Sequence, residues 1–475
     1  MKNKFLHKKI VGSLISTALL FLMIVFLTAS SNEPLVAEFG KNRITLEEFK
    51  TAYLDVVKKP KVFDSKQLRE DFLDELIRSR LLAIEAKRLG YDKNELYSYK
   101  VDSYRDKCLR DVHYEKVIKP KIKITEKDVE EVYQFSQEER KINHLFVETK
   151  SEADTLYQML EKGFTFEELA KNVFKDSLLA NSGGNLGWVY WDQLDYDLAM
   201  AAFRQPLNAY SKPVRSQFGY HIVKVTDFKK KPLITRSEYE VHRRKAKYLL
   251  EYKIGEKYSY EYINKMLKNS KTVVYSKVLS FVQEKLAQKL KRKPTPFDQM
   301  NELQLREEEV KYIETNLWDE RNQIMAIVEG KNYTIGNFIG ALNYIPYEII
   351  YSSFKKTFDF ALRDFILTEE AKKLGLQKSD KVQLKTKLYS EFLLQLELRK
   401  NIVGKVTVNE NDLKKFYEDN HAKFKEATFE QLHDTIKDIV INQKKRDAVP
   451  EYLKSLIKNV RIKKNLSLIH SYYDA

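Results

Sequence analysis

Apolar residues recur at the 3.6-residue spacing of amphipathic helices over most of this 475-residue chain. Two places break that rhythm in the same way. Around Gly40 the chain reads Glu38-Phe39-Gly40-Lys41-Asn42, and around Gly330 it reads Val328-Glu329-Gly330-Lys331-Asn332. Each predicts a short apolar strand, a tight turn, then a threonine opening a helix. The helix pattern is Ile44-Thr45-Leu46-Glu47-Glu48-Phe49 in one copy and Tyr333-Thr334-Ile335-Gly336-Asn337-Phe338 in the other. Thr45 with Glu48 three residues on has the spacing of a capping box, in which hydroxyl and carboxylate each satisfy a spare backbone N–H.

The correspondence continues in order. Glu85-Ala86-Lys87-Arg88-Leu89-Gly90 recurs as Glu370-Ala371-Lys372-Lys373-Leu374-Gly375, each closing a helical run with a C-capping glycine. Ile124-Thr125-Glu126-Lys127-Asp128-Val129 recurs as Val408-Asn409-Glu410-Asn411-Asp412-Leu413. The offsets are 290 (Gly40 to Gly330), 285 (Glu85 to Glu370) and 284 (Ile124 to Val408), so the copies stay in step. A further pair, Glu261-Tyr262 and Glu451-Tyr452, is only 190 apart. The first copy therefore carries about 95 extra residues between its halves.

Within that insert the rhythm changes. Ile142 to Val147 predicts a strand, Ser151 to Lys162 and Phe166 to Val173 two helices, and Gly219 to Val225 a closing strand. Between them lies the glycine-rich loop Gly183-Gly184-Asn185-Leu186-Gly187-Trp188. The expected organisation is a targeting segment at 1–31 and the first part of a helical module at 32–137. An α/β domain is inserted at 138–228, residues 229–325 complete the first module, and 326–475 form a second module without an insert.

Composition narrows the class. With 43% hydrophobic residues, only 14 Gly and 10 Pro, the chain is globular and helix-rich. Its formal charge of +16 is spread among acidic residues along helices, with no arginine-rich arm or zinc-finger spacing, so nucleic acid is not an expected partner. Cys108 is the only cysteine, which excludes an intrachain disulfide and a multi-cysteine metal site. At the N-terminus Lys2, Lys4, Lys8 and Lys9 precede an apolar run from Ile10 to Leu27 and the small residues Thr28 to Ser31. That pattern predicts export, either behind a cleaved signal or with the run retained as a membrane anchor. Ser30 stands where a lipoprotein signal needs cysteine, so no lipid anchor is expected.

Three segments of the insert together resemble a parvulin domain: Asn143-His144-Leu145-Phe146-Val147, the Gly-Gly-Asn-Leu-Gly-Trp loop, and Gln217-Phe218-Gly219-Tyr220-His221-Ile222-Val223-Lys224. Phe166-Glu167-Glu168-Leu169-Ala170 and Ala202-Phe203 fall between them in the family's order. The flanking repeats resemble the helical chaperone part of SurA and PrsA. The resemblance implies an α+β multidomain protein: two tandem, mainly α-helical SurA-like modules with one inserted parvulin-like domain of antiparallel sheet and surrounding helices.

It also implies a function, peptidyl-prolyl isomerisation combined with chaperoning of exported proteins. Its partners would be unfolded exported polypeptides with X–Pro bonds, and no cofactor or metal is needed. His144 and His221 match the family's paired histidines, Asp176 its acidic position (with Ser177 as a rival alignment) and Ser216 its hydroxyl. Leu186, Leu194, Leu198 and Phe218 match the proline pocket. The sequence departs from the family's pattern at Asn185, Leu194 and Leu198, where Asp, Met and Phe are common. Those departures keep a second reading open, a holdase whose parvulin domain binds peptide without turnover. Trp188, Trp191 and Phe203 are expected to serve packing. Exchange of split modules between chains would give a dimer, which the sequence leaves undecided.

Overall fold

A computed structural model describes residues 33–59, 61–216, 219–231, 235–268, 270–295, 304–424, 427–458 and 460–471. The export segment and Phe218 lie outside the described residues. Among those described, no helix is long and apolar enough to cross a membrane. The strands are β1 (Leu35–Phe39), β2 (Asn42–Thr45), β3 (Glu138–Val147), β4 (Asn185–Tyr190), β5 (Val214–Arg215), β6 (Tyr220–Lys230), β7 (Thr272–Val274), β8 (Ile324–Val328), β9 (Lys331–Thr334) and β10 (Ile462–Lys464). Helices fill most of the rest, and the chain divides into two compact units, 1–105 with 380–475, and 106–379.

The repeat is visible in detail. β1 and β2 turn at Gly40 (φ 58°), β8 and β9 at Gly330 (φ 75°). Thr45 and Glu48 form the expected capping box, and Thr334 with Asn337 forms its counterpart. Gly90 and Gly375 both adopt the left-handed conformation after their helices.

The halves are partnered differently from the order expected. β1 pairs with β10, Phe39 opposite Ile462, giving the sheet β10-β1-β2. β7, assigned above to the completion of the first module, pairs instead with β8, Val274 opposite Ala326, giving β7-β8-β9. Each of these sheets thus joins the front strands of one copy to the rear strand of the other. Because the copies share one pattern, either rear half fits either front half. Chain connectivity decides between them, and a repeat by itself does not report it.

In the unit of 1–105 and 380–475, the sheet covers Phe39, Ile44, Phe49, Tyr53, Leu73 and Ile77, with Ile469 closing the cluster. Helix Lys66–Arg88 packs Leu82 and Ala86 against Leu394 and Leu398 of helix Asp380–Gly404 and Val449 and Leu453 of helix Phe429–Ile457. Arg80 is buried where these layers meet. Its guanidinium reaches Glu48 Oε2 (2.9 Å), Glu391 Oε2 (2.8 Å) and the Arg43 carbonyl (2.9 Å). Burial works against the Glu48 carboxylate, but Arg80 and Lys387 outweigh it and hold its pKa below the usual range.

The other unit is organised around the four-stranded antiparallel sheet β4-β3-β6-β5. One face carries Leu145 and Ile222, covered by Leu160 and by Phe166, Leu169 and Ala170 of helices Lys150–Glu161 and Phe166–Val173. The other face carries Ile142, Val189 and Val223, covered by Leu198, Ala202 and Phe203 of helix Tyr196–Arg204. That second core does not stop at 138 and 228. Val129, Val132 and Tyr133 of helix Glu126–Phe135, and Tyr239, Ala246, Leu250 and Ile254 of the long helix Arg236–Lys268, belong to the same cluster. At about 1.5–3 kcal/mol for burying each large apolar side chain, these flanking helices contribute materially to the domain.

Removing Arg80 takes the guanidinium from buried Glu48 and half-buried Glu391 and leaves only Lys387 beside them, a loss of the kind that makes broken buried ion pairs costly. Arg80→Met should therefore destabilise its unit by about 3 kcal/mol, read in denaturant melts; a variant as stable as the parent would refute the assignment.

Candidate active site

The site is built on the β3–β6 ladder. His144 lies opposite Val223 and Phe146 opposite His221, so the two histidines are diagonal neighbours on one sheet face. Their Nδ1 atoms are 3.2 Å apart and their rings nearly parallel (20°), with centroids 5.4 Å apart. Ser216, just after β5, lies 2.8 Å by its Oγ from His221 Nε2. Phe146 flanks the His221 ring at 5.0 Å and Phe174 the His144 ring at 5.3 Å. Among the described residues, His144 Nε2 is buried with no hydrogen-bond partner.

The glycine loop fixes the edge of this cluster. The His144 N–H donates to the Gly184 carbonyl (2.9 Å), and Asn143 Nδ2 donates to the Gly183 carbonyl (3.0 Å). Gly184 has φ 72°, and a Cβ there would fall 1.9 Å from the His144 carbonyl oxygen. Only glycine lets the loop approach β3 so closely. Beyond it the chain continues as β4, which the sequence reading treated as loop. Three left-handed glycines masked a strand that pairs with β3 through a bulge between Ile142 and Asn143.

The remaining candidates fall in different surroundings. The Asp176 carboxylate is exposed and caps helix Ser177–Asn181, accepting the N–H groups of Leu178 and Leu179 at 2.9 Å each. It is engaged there rather than hydrogen-bonded to either histidine, and Ser177 is exposed beside it. Leu186 is 38% exposed on β4, Leu194 is half-buried, and Leu198 at 5% belongs to the core. Of the residues expected to serve packing, Trp191 and Phe203 are buried, whereas Trp188 stands 36% exposed with the Lys229 ammonium 4.0 Å from its ring. Phe174 and Asn143 were not anticipated. Phe146 was readable as the residue two places from His144 on one strand face.

Burial lowers both imidazoles to about 4, and His144 adds to the effect on His221. Both rings are neutral at physiological pH, so the 3.2 Å contact has one Nδ1–H donating to a bare Nδ1. Such a cluster offers oriented neutral dipoles next to apolar surface. An X–Pro amide must lose resonance worth about 18–20 kcal/mol to rotate, and a poorly hydrated carbonyl twists more readily.

Residues 122–229 match the family model described as the PPIC-type PPIASE domain. The chain carries a parvulin-type peptidyl-prolyl isomerase domain, and beyond it is similar to the PrsA foldases. The match begins at Ile122, ahead of the boundary expected at 138, and so takes in helix Glu126–Phe135, which shares the domain's core. The foldase protein PrsA of Geobacillus kaustophilus is 25% identical over 240 residues, 48% of this chain and 83% of its own length. That of Bacillus subtilis is 30% identical over 184 residues, 38% of this chain and 60% of its own. Among solved structures, the peptidylprolyl isomerase PrsA of Bacillus anthracis aligns at 26% identity over 46% of this chain and 96% of its own, with TM-score 0.23.

The neutral pair of the parvulin domain sets a pH dependence. The unfolded chain protonates its histidines near 6.5, the native rings only near 4, so between these values the unfolded state binds more protons. Stability from burying the neutral pair is therefore full above pH 6.5 and lost as pH falls toward 4, on the order of 3 kcal/mol for each ring. Melting the His144→Gln/His221→Gln variant alongside the parent over pH 4–8 checks this. Equal slopes for the two proteins would exclude the pair as the source.

Proposed function

We propose that this parvulin domain turns X–Pro bonds in unfolded exported polypeptides, which the helical repeats hold. The observation that carries the reading is the buried, uncharged His144–His221–Ser216 cluster beside the glycine loop. In this reading the proline ring sits against Leu186, Leu194 and Phe218, with Leu198 backing the wall from the core. The histidines and Ser216 orient the twisted amide, and Asp176 serves by fixing the loop that follows it. Residues 10–27 direct the chain out of the cytoplasm, as a cleaved signal or a retained tether, which N-terminal sequencing of the exported protein would separate.

A second reading, peptide binding without turnover, is favoured by one observation. Leu198 is almost wholly enclosed, so it offers a proline ring little surface of its own.

The decisive measurement is the rate of cis–trans exchange in a series of short Xaa-Pro peptides, with the full chain as catalyst. Leu186→Asp is the informative variant because Leu186 is exposed, whereas a charge at Leu198 would disrupt the core. Acceleration by the parent that falls at least tenfold in Leu186→Asp supports isomerisation at this pocket. No acceleration by a folded parent that still suppresses aggregation of an unfolded client establishes the second reading.

A further inference from the structure

The long helix Arg236–Lys268 lies outside the 122–229 match, yet it reaches the segment that carries two of the proposed proline-pocket residues. Lys253 Nζ donates to the Leu194 carbonyl at 2.8 Å, and Lys257 Nζ pairs with Asp197 Oδ1 at 2.7 Å. The two lysines are one turn apart on the same helix face, and the groups they hold bracket residues 194–197, next to Leu198. Leu250 and Ile254 of the same helix pack in one cluster with Leu198, and Leu194 packs against that cluster. The apolar contacts and the two ammonium groups that hold the segment thus come from one face of this helix.

The segment joins the turn Trp191–Gln193 to helix Tyr196–Arg204. A cavity of about 90 Å³ runs beside it, lined on one side by Lys253, Lys257 and Tyr260 and on the other by Tyr196 and Ser216. The helix therefore borders the same space as the serine bonded to His221.

We infer that Lys253 and Lys257 are positioning residues for the isomerase, setting the proline-pocket wall from a helix outside the parvulin domain. The inference rests on the pocket reading given above. A charged hydrogen bond of this kind contributes enough to keep a short segment in one conformation, and a loosened wall grips the proline ring less well in ground and transition states alike. Its loss should appear in KM.

The test uses the full chain and one Xaa-Pro peptide. Lys253→Met/Lys257→Met should raise KM roughly tenfold and change kcat by less than about twofold. Lys257→Arg, which keeps the charge and the reach to Asp197, should restore the single Lys257→Met defect. A role in stability alone would shift the melting temperature, leave the KM of folded protein unchanged and give no arginine rescue. If the double variant does not fold, Lys257→Met and Asp197→Asn, compared singly and together, carry the test: non-additive rises in KM support the clamp and additive or absent ones overturn it. Leu186→Asp in the same series separates the two failures. If it raises KM while the lysine variants do not, the clamp is wrong and the pocket stands. If Leu186→Asp also leaves KM unchanged, the pocket reading falls and the clamp with it.

Discussion

The antiparallel register between β3 and β6 is the constraint on which the isomerase domain depends. Ten residues of β3 find partners on β6, with one irregularity between Lys141 and Ile142. A slip of one residue would turn every side chain to the opposite face. The histidines would part, Leu145 and Ile222 would leave the core under the two N-terminal helices, and Ile142 and Val223 would leave the other. The ladder therefore fixes chemistry and packing together. The same residues that bury the sheet on both sides hold the paired imidazoles in their stacked arrangement.

Burial then sets the character of the site. The rings lie where water is scarce, so they carry no charge, and what they present is direction rather than electrostatic force. Among the described residues no buried acid is bonded to the pair, and the Asp176 carboxylate is committed to a helix start. Isomerisation needs neither a nucleophile nor a proton removed, so an uncharged site is sufficient for it.

Much of this was legible in the sequence. Capping boxes, hairpin turns and C-terminal glycines are local, and local rules read them correctly. His144, His221 and Ser216 were located through their place in an ordered set of motifs, and the structure brings them together. What was not legible is non-local. β4 was hidden because glycines with left-handed backbone angles read as loop, although pairing with β3 draws the chain into the sheet. Asp176 has the same identity in a cap as in a catalytic network, and only its hydrogen bonds tell the two apart. Leu198 sits on an amphipathic helix whose apolar spacing suits a pocket wall and a core alike, and only its burial shows that it belongs to the core. The exchange of repeat halves is invisible for a related reason, since similar halves offer similar surfaces.

That exchange has a consequence for the time course of biogenesis. A chain made and exported N-terminus first presents β1, β2 and helix Lys66–Arg88 long before β10 exists, because their partners begin only at Asp380. The central unit, by contrast, closes on residues 106–379 as soon as these have emerged. The first fifth of the molecule to arrive must wait, half-built and with apolar surface bare, for the last. A protein that shelters other unfinished chains thus passes through that same exposed condition on its own way to the folded state.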